Sequence, residues 1–146
     1  MRKSTKSFIF FLVMILLPLS VHAQDCSKLT KKCKNPDNSF KVSASSRGIK
    51  MRRGKRTRIV LNVYGGREYY FSTYSRPKVG KLQFRIVDAT TLKVLYDNAI
   101  EGLIDEKKFI VSATQKLYIE IAAPNWKSDE SYECAAFKIA YRNFKL

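Results

Sequence analysis

The sequence predicts an all-β fold, and three observations carry that expectation. Apolar and polar residues alternate with period two in segment after segment, and Gly, Pro, Asn and Asp fall between those segments. No window of 12 or more residues holds an apolar stripe at helical spacing. Strands spaced roughly 8 to 15 residues apart, each polar on one face, predict a two-sheet β-sandwich of about seven to eight strands with Greek-key or jelly-roll connections.

The first element in order is an export signal over residues 1–23. Arg2, Lys3 and Lys6 precede an uncharged apolar run of 12 residues from Phe8 to Leu19, and Ala23 supplies the small residue before a signal-peptidase cut. The run is shorter than the roughly 20 residues a membrane span needs, and Pro18 interrupts it. Asp25 before Cys26 departs from a lipid-attachment box. Cleavage leaves Gln24 first, no transmembrane anchor, and a periplasmic or secreted bacterial location as the expectation. Three of the 28 Lys and Arg lie in the signal, so the remaining 123 residues keep 25 cations against 12 acids, a net +13. That length predicts one domain, read as an N-terminal arm over 24–38 and a sandwich over 39–146.

Phe40 to Ala44 is a candidate short strand. Next, Ile59, Leu61 and Val63 point one way while Arg58, Val60 and Asn62 point the other. Gly65-Gly66 predicts a tight hairpin into Glu68 to Tyr74, with Tyr69, Phe71 and Thr73 on one face. After the Pro77 to Gly80 turn, Lys81 to Asp88 places Leu82, Phe84 and Ile86 inward and Lys81, Gln83 and Arg85 outward. Lys93 to Tyr96 and Lys108 to Ala113 are weaker candidates. Lys116 to Ala122 sets Leu117, Ile119 and Ile121 against Tyr118 and Glu120, and Ala136 to Phe144 turns Phe137, Ile139 and Tyr141 inward with Lys138 and Arg142 out.

Chemistry is bounded by what is missing. His22, the only histidine, falls in the signal, which excludes a Ser/His/Asp triad, a Cys/His pair and a His-ligated zinc from the mature chain. The acids sit mostly in turns, at Asp88, Asp97, Asp105 and Glu106, without acid/base spacing. Neither catalysis nor a metal or other cofactor is expected. Cys26, Cys33 and Cys134 all survive export into an oxidising compartment, and their odd number leaves one thiol over. Spacing alone keeps Cys33 to Cys134, Cys26 to Cys33 and Cys26 to Cys134 open.

The runs FKVSASSRGIKMRRGKRTRIVLNVYGGREYYFSTY from Phe40, GKLQFRIVDATTLKVLYDNA and SATQKLYIEIAAP resemble a group of small secreted bacterial β-sandwich proteins of uncharacterised function. They share an S-R element before the first strong strand, a G-x-x-Y hairpin and a VLYDN segment. More distantly, the order of strand, Gly, Tyr and strand resembles pre-peptidase C-terminal (PPC-like) domains. The resemblance implies export and a sandwich scaffold, and names no active site. It also implies pairing of Cys33 with Cys134, and a further cysteine at the end of the second strand, where this chain has Thr73-Tyr74-Ser75 instead.

Three constellations point to binding. Arg47, Lys50, Arg52, Arg53, Lys55, Arg56 and Arg58 are seven cations in 12 residues without an acid, and Lys28 to Arg58 carries 12 cations against Asp37 alone. Such focusing attracts polyanions, and guanidinium forks suit phosphate or sulfate. The competing reading is a solvated loop and a charged edge strand that resists sheet-to-sheet pairing. The loop PNWKSDESYE from Pro124 to Glu133 offers Trp126 and Tyr132 as a glycan platform, with Asp129, Glu130 and Glu133 as oxygen donors lacking a regular calcium-loop spacing. Its competing reading has Trp126 capping the core. Tyr64, Tyr70, Tyr74 and Tyr118 lie opposite the inward aliphatics and would form an aromatic face if they share one sheet. The expected function is therefore an exported, non-catalytic binding module for an anionic glycan, lipopolysaccharide or another polyanion. Nucleic acid is not the expected partner. The alternative is a protein that docks on another envelope protein through a sheet edge or the tyrosine face.

Overall fold

The computed structural model describes residues 25–144, and the signal segment with its cleavage site lies outside them. Nine strands form two antiparallel sheets: β1 (Lys41–Val42), β2 (Arg47–Arg52), β3 (Thr57–Val63), β4 (Arg67–Ser75), β5 (Gln83–Asp88), β6 (Val94–Asp97), β7 (Glu106–Val111), β8 (Gln115–Ala122) and β9 (Tyr132–Asn143). Short 3-10 helices cover Ser27–Lys32 and Asn98–Glu101. Among the described residues no helix is long and apolar enough to cross a membrane.

Sheet I runs β1-β9-β4-β7, with β2 pairing β9 beside β1, and sheet II runs β3-β8-β5-β6. The pairs nest: β2 with β9, β3 with β8, β4 with β7, β5 with β6. A chain doubled on itself and then rolled, so that β4 also meets β9 and β5 meets β8, is the jelly roll. Alternation locates the core well: Ile59, Leu61, Val63, Phe71, Phe84, Ile119, Ile121, Phe137 and Ile139 all fill it. Phe71 stands at the centre, 4.8 Å from Phe84 in the facing sheet and 6.0 Å from Phe137 beside it.

The nesting corrects two expectations. Gly65-Gly66 does not close a hairpin, because β3 and β4 belong to different sheets. The pair carries the chain across the sandwich, where Gly65 passes so close to the β7–β8 connection that a Cβ would lie 2.7 Å from the Ser112 carbonyl oxygen. The basic segment also holds a strand that alternation did not single out. In β2 only Ile49 and Met51 point inward, and cations occupy most other positions.

The N-terminal arm changes the outer face of sheet I. The helix Ser27–Lys32 lies on β2, β4 and β9, with Leu29 buried among Cys26, Cys33, Cys134 and Ala136. Gly48 permits this approach, since a Cβ there would lie 2.0 Å from the Cys26 carbonyl oxygen. The disulfide joins Cys26 to Cys134 across 108 residues, and Cys33 is a buried free thiol, which corrects the Cys33 to Cys134 pairing. Cys26 reaches the arm's contact with β2 first. The helix then carries the chain on until the Cys33 carbonyl accepts from Lys138 Nζ at 3.1 Å, four residues along β9 from Cys134. Burial pushes the Cys33 thiol up to about 11, against the opposing pull of Lys138, so it stays protonated at neutral pH. Lys138 leaves the core face as alternation requires, yet it is buried beneath the arm, where it also donates to Asn35 Oδ1.

Candidate functional site

The register brings four connections to one end of the sandwich: 53–56, 76–82, 98–105 and 123–131. Between the first and last of these lies an open cleft of about 650 Å³ lined by Arg53, Lys55, Arg56, Gln83, Trp126 and Lys127. Four cations therefore face a cleft that Asp129 alone lines with an acid. The turn and the tryptophan loop, distant in sequence, meet because β2 and β9 are paired to their ends, with Arg52 opposite Tyr132.

Hydrogen bonds hold this geometry. The Arg53 amide donates to the Ser131 carbonyl at 3.0 Å, and its guanidinium donates to the Ser128 carbonyl. Arg56 donates to Gln83 Oε1 at 3.4 Å and lies 3.9 Å from Glu120. The Trp126 indole N–H donates to the Ser128 and Glu130 carbonyls at 3.0 and 3.2 Å, which spends its polar handle inside the loop and leaves the ring between core and cleft. Trp126 thus caps the core and lines the cleft at once. Lys55 and Lys127 lack a carboxylate within ion-pair distance among the described residues, so their charge is available.

Beneath the loop sits Glu133, fully buried at the start of β9. Its Oε1 accepts from Ser128 Oγ and from Lys78 Nζ, both at 2.6 Å, pinning the 123–131 and 76–82 connections to the same carboxylate. Burial pushes this carboxyl up, but the bonds from Lys78 and Ser128 and the charges of Lys78 and Arg76 outweigh burial and hold it below its usual range. Glu133 therefore serves the loop as an anchor. Asp129 and Glu130 remain exposed, and among the described residues no three His, Cys, Asp or Glu are grouped to hold a metal.

The remaining residues of the basic segment go elsewhere. Lys50 and Arg52 lie 4.8 and 5.9 Å over the ring of Tyr132 on the β2 edge, outside the cleft, and Arg47 begins that strand. Arg58 turns to the outer face of sheet II, donating to Glu120 Oε1 at 2.8 and 3.1 Å and lying 4.7 Å over Tyr118. The four tyrosines do not form one face: Tyr70 and Tyr74 are in sheet I, Tyr118 is in sheet II, and Tyr64 is in the crossover. Tyr70 is buried against Phe40 and donates to Glu106. Lys127 and Gln83 joined the cleft without having been singled out. Lys127 carried a signal in its adjacency to Trp126, whereas Gln83 had none, because only the register of β5 on β8 brings it there.

No protein-family model matches this chain, and no curated protein matches it in sequence. Among solved structures it is similar to PliG of Aeromonas hydrophila, a periplasmic inhibitor of g-type lysozyme. The identity is 9% over 75% of this chain and 90% of that one, with a TM-score of 0.46.

Proposed function

We propose that the chain is an exported binding protein for an anionic glycan, held in the cleft between the 53–56 turn and the 123–131 loop. The observation that carries this reading is the meeting of Arg53, Lys55, Arg56 and Lys127 with the face of Trp126 in one cleft. Guanidinium and ammonium groups recognise phosphate, sulfate or carboxylate on a sugar, and an indole face stacks on the apolar side of its ring. The loops are held in place before a ligand arrives, which lowers the ordering cost of binding. Export is supported by the signal pattern of residues 1–23 and by the disulfide Cys26–Cys134, which needs an oxidising compartment to form.

The test is binding of residues 24–146 to lipopolysaccharide, a heparin-like glycan, DNA and a neutral glycan across a salt series. The anionic glycans should bind with affinity falling steeply as salt rises. The triple variant R53A/K55A/R56A should reduce the slope of log affinity against log salt by roughly two to three units. An unchanged slope would remove the cleft from the account.

One observation favours docking on a protein instead. β6 forms the edge of sheet II, and Val94 and Leu95 on it are about half exposed, beside Leu92 and the 81% exposed Ile100. An envelope protein adding a strand there would bury this aliphatic strip and would be indifferent to the basic turn.

A further inference from the structure

A second cleft, of about 750 Å³, opens at the same end between the 76–82 and 102–106 segments. Apolar side chains stand on both of its walls, Tyr74, Pro77 and Leu82 on one side and Leu103 and Ile104 on the other, among polar neighbours that include Thr73, Ser75 and Lys81. Arg76 and Lys127 line it as well, both exposed, and among the described residues neither has a carboxylate within ion-pair distance. The acids that line it are already engaged. Asp105 pairs with Lys34 at 2.7 Å, while Glu106 lies 3.6 Å from the same ammonium and accepts from Tyr70 at 2.5 Å.

The walls are preformed. Asn98 is fully buried and bonds to both of them: its Nδ2 donates to the Leu82 carbonyl at 3.0 Å and the Ile104 carbonyl at 2.8 Å, and its Oδ1 accepts from the Phe84 amide at 2.8 Å. The Leu103 amide returns to the Asn98 carbonyl at 2.9 Å, which holds Leu103 at a φ of 59°, a conformation leucine rarely adopts. An apolar slot whose shape is fixed by buried hydrogen bonds, with unpaired cations at its rim, is complementary to a chain with an anionic end.

We propose that this cleft is a separate site for a monoacyl lipid bearing a phosphate head, with the chain between Tyr74, Leu82, Leu103 and Ile104 and the phosphate on Arg76 and Lys127. Burial of the chain supplies affinity in proportion to the apolar area covered, and the Arg76 fork selects the head. This site does not depend on the glycan reading, although Lys127 lies between the two clefts.

Calorimetric titration with dodecyl phosphate below its micelle concentration tests the proposal, with inorganic phosphate and dodecyl maltoside as the single-feature probes. Dodecyl phosphate should bind at least about tenfold more tightly than either. The double variant L103S/I104S, at partly exposed positions, should lose at least about tenfold, with its unfolding midpoint measured alongside. R76A should weaken dodecyl phosphate binding while leaving dodecyl maltoside within about twofold. R53A/K55A/R56A should leave dodecyl phosphate binding within about twofold even though it weakens glycan binding and flattens its salt dependence, so the two proposals fail separately. Equal affinity for dodecyl maltoside and dodecyl phosphate in the unmodified protein, or full binding by L103S/I104S, would overturn the proposal.

Discussion

The outer faces of the two sheets begin from the same strand pattern and end in different environments. On sheet II no segment of chain covers the outer face: Val60 is 57% exposed, and Glu120 is buried only within a charged row that Arg58, Glu120, Arg85 and Asp97 form across the four strands. Arg58 pairs with Glu120 and Arg85 with Asp97, both at 2.7 to 2.8 Å. On sheet I the outward residues of β9 are buried: Cys134, Ala136 and Lys138 lie beneath the arm, and Ala140 packs against Phe40 and Tyr70. Alternation tells which way a side chain points from its strand. What covers that face is decided by chain outside the sheet, here chiefly by residues 25–38, tied to β9 through the Cys26–Cys134 disulfide.

The sharpest way to break the contrast is to open the bridge. C26S/C134S frees a loop of more than 100 residues and should cost about 4 to 5 kcal/mol in urea unfolding, in the chain-entropy account. C33S should leave the bridge intact, and non-reducing peptide mapping should still recover Cys26 joined to Cys134. Gly48→Ala attacks the same face through sterics, by forcing a methyl group into the Cys26 carbonyl, and should cost about 3 kcal/mol without altering the cysteine pairing.

Glu133→Gln tests the anchor under the loops and should cost about 2 kcal/mol at neutral pH. Because the Glu133 carboxyl is held below its unfolded value, its contribution is present above about pH 4.5 and is lost as pH falls through the folded value. The variant should therefore show a smaller drop in stability between pH 6 and pH 3 than the parent. The smallest effect belongs to sheet II. Arg58→Ala removes a half-exposed partner and should cost less than about 1 kcal/mol, a loss that shrinks further in high salt. A large loss there would mean that the open face matters to stability as much as the covered one.

The sandwich and its core were legible because period two survives wherever one face is apolar, as in Ile59, Leu61 and Val63 or Leu117, Ile119 and Ile121. β2 was hidden because its few inward residues are outnumbered by cations that serve the surface. The false hairpin at Gly65-Gly66 came from reading a tight connection as a pairing, when the partner of β3 lies more than 50 residues downstream in β8. The covered face left one trace, the small outward residues Ala136 and Ala140, which leave room for the arm and for Phe40 respectively. The candidate site was half legible: Arg53, Lys55, Arg56 and Trp126 were singled out, but their convergence depends on the β2–β9 register. Arg58 and Tyr132 had the right composition and lie elsewhere because strand direction turns them away.

Trp126 is the only tryptophan in the chain, which makes its fluorescence a reporter placed in the cleft itself. The decisive measurement is a titration of residues 24–146 with a heparin-like glycan at low and high salt, following Trp126 emission. A saturable change that weakens steeply with salt, and that is weaker and less salt-dependent in R53A/K55A/R56A, is the predicted result. Glycan binding detected by calorimetry with no change in Trp126 emission, or an emission change untouched by the triple variant, would contradict the assignment of the cleft.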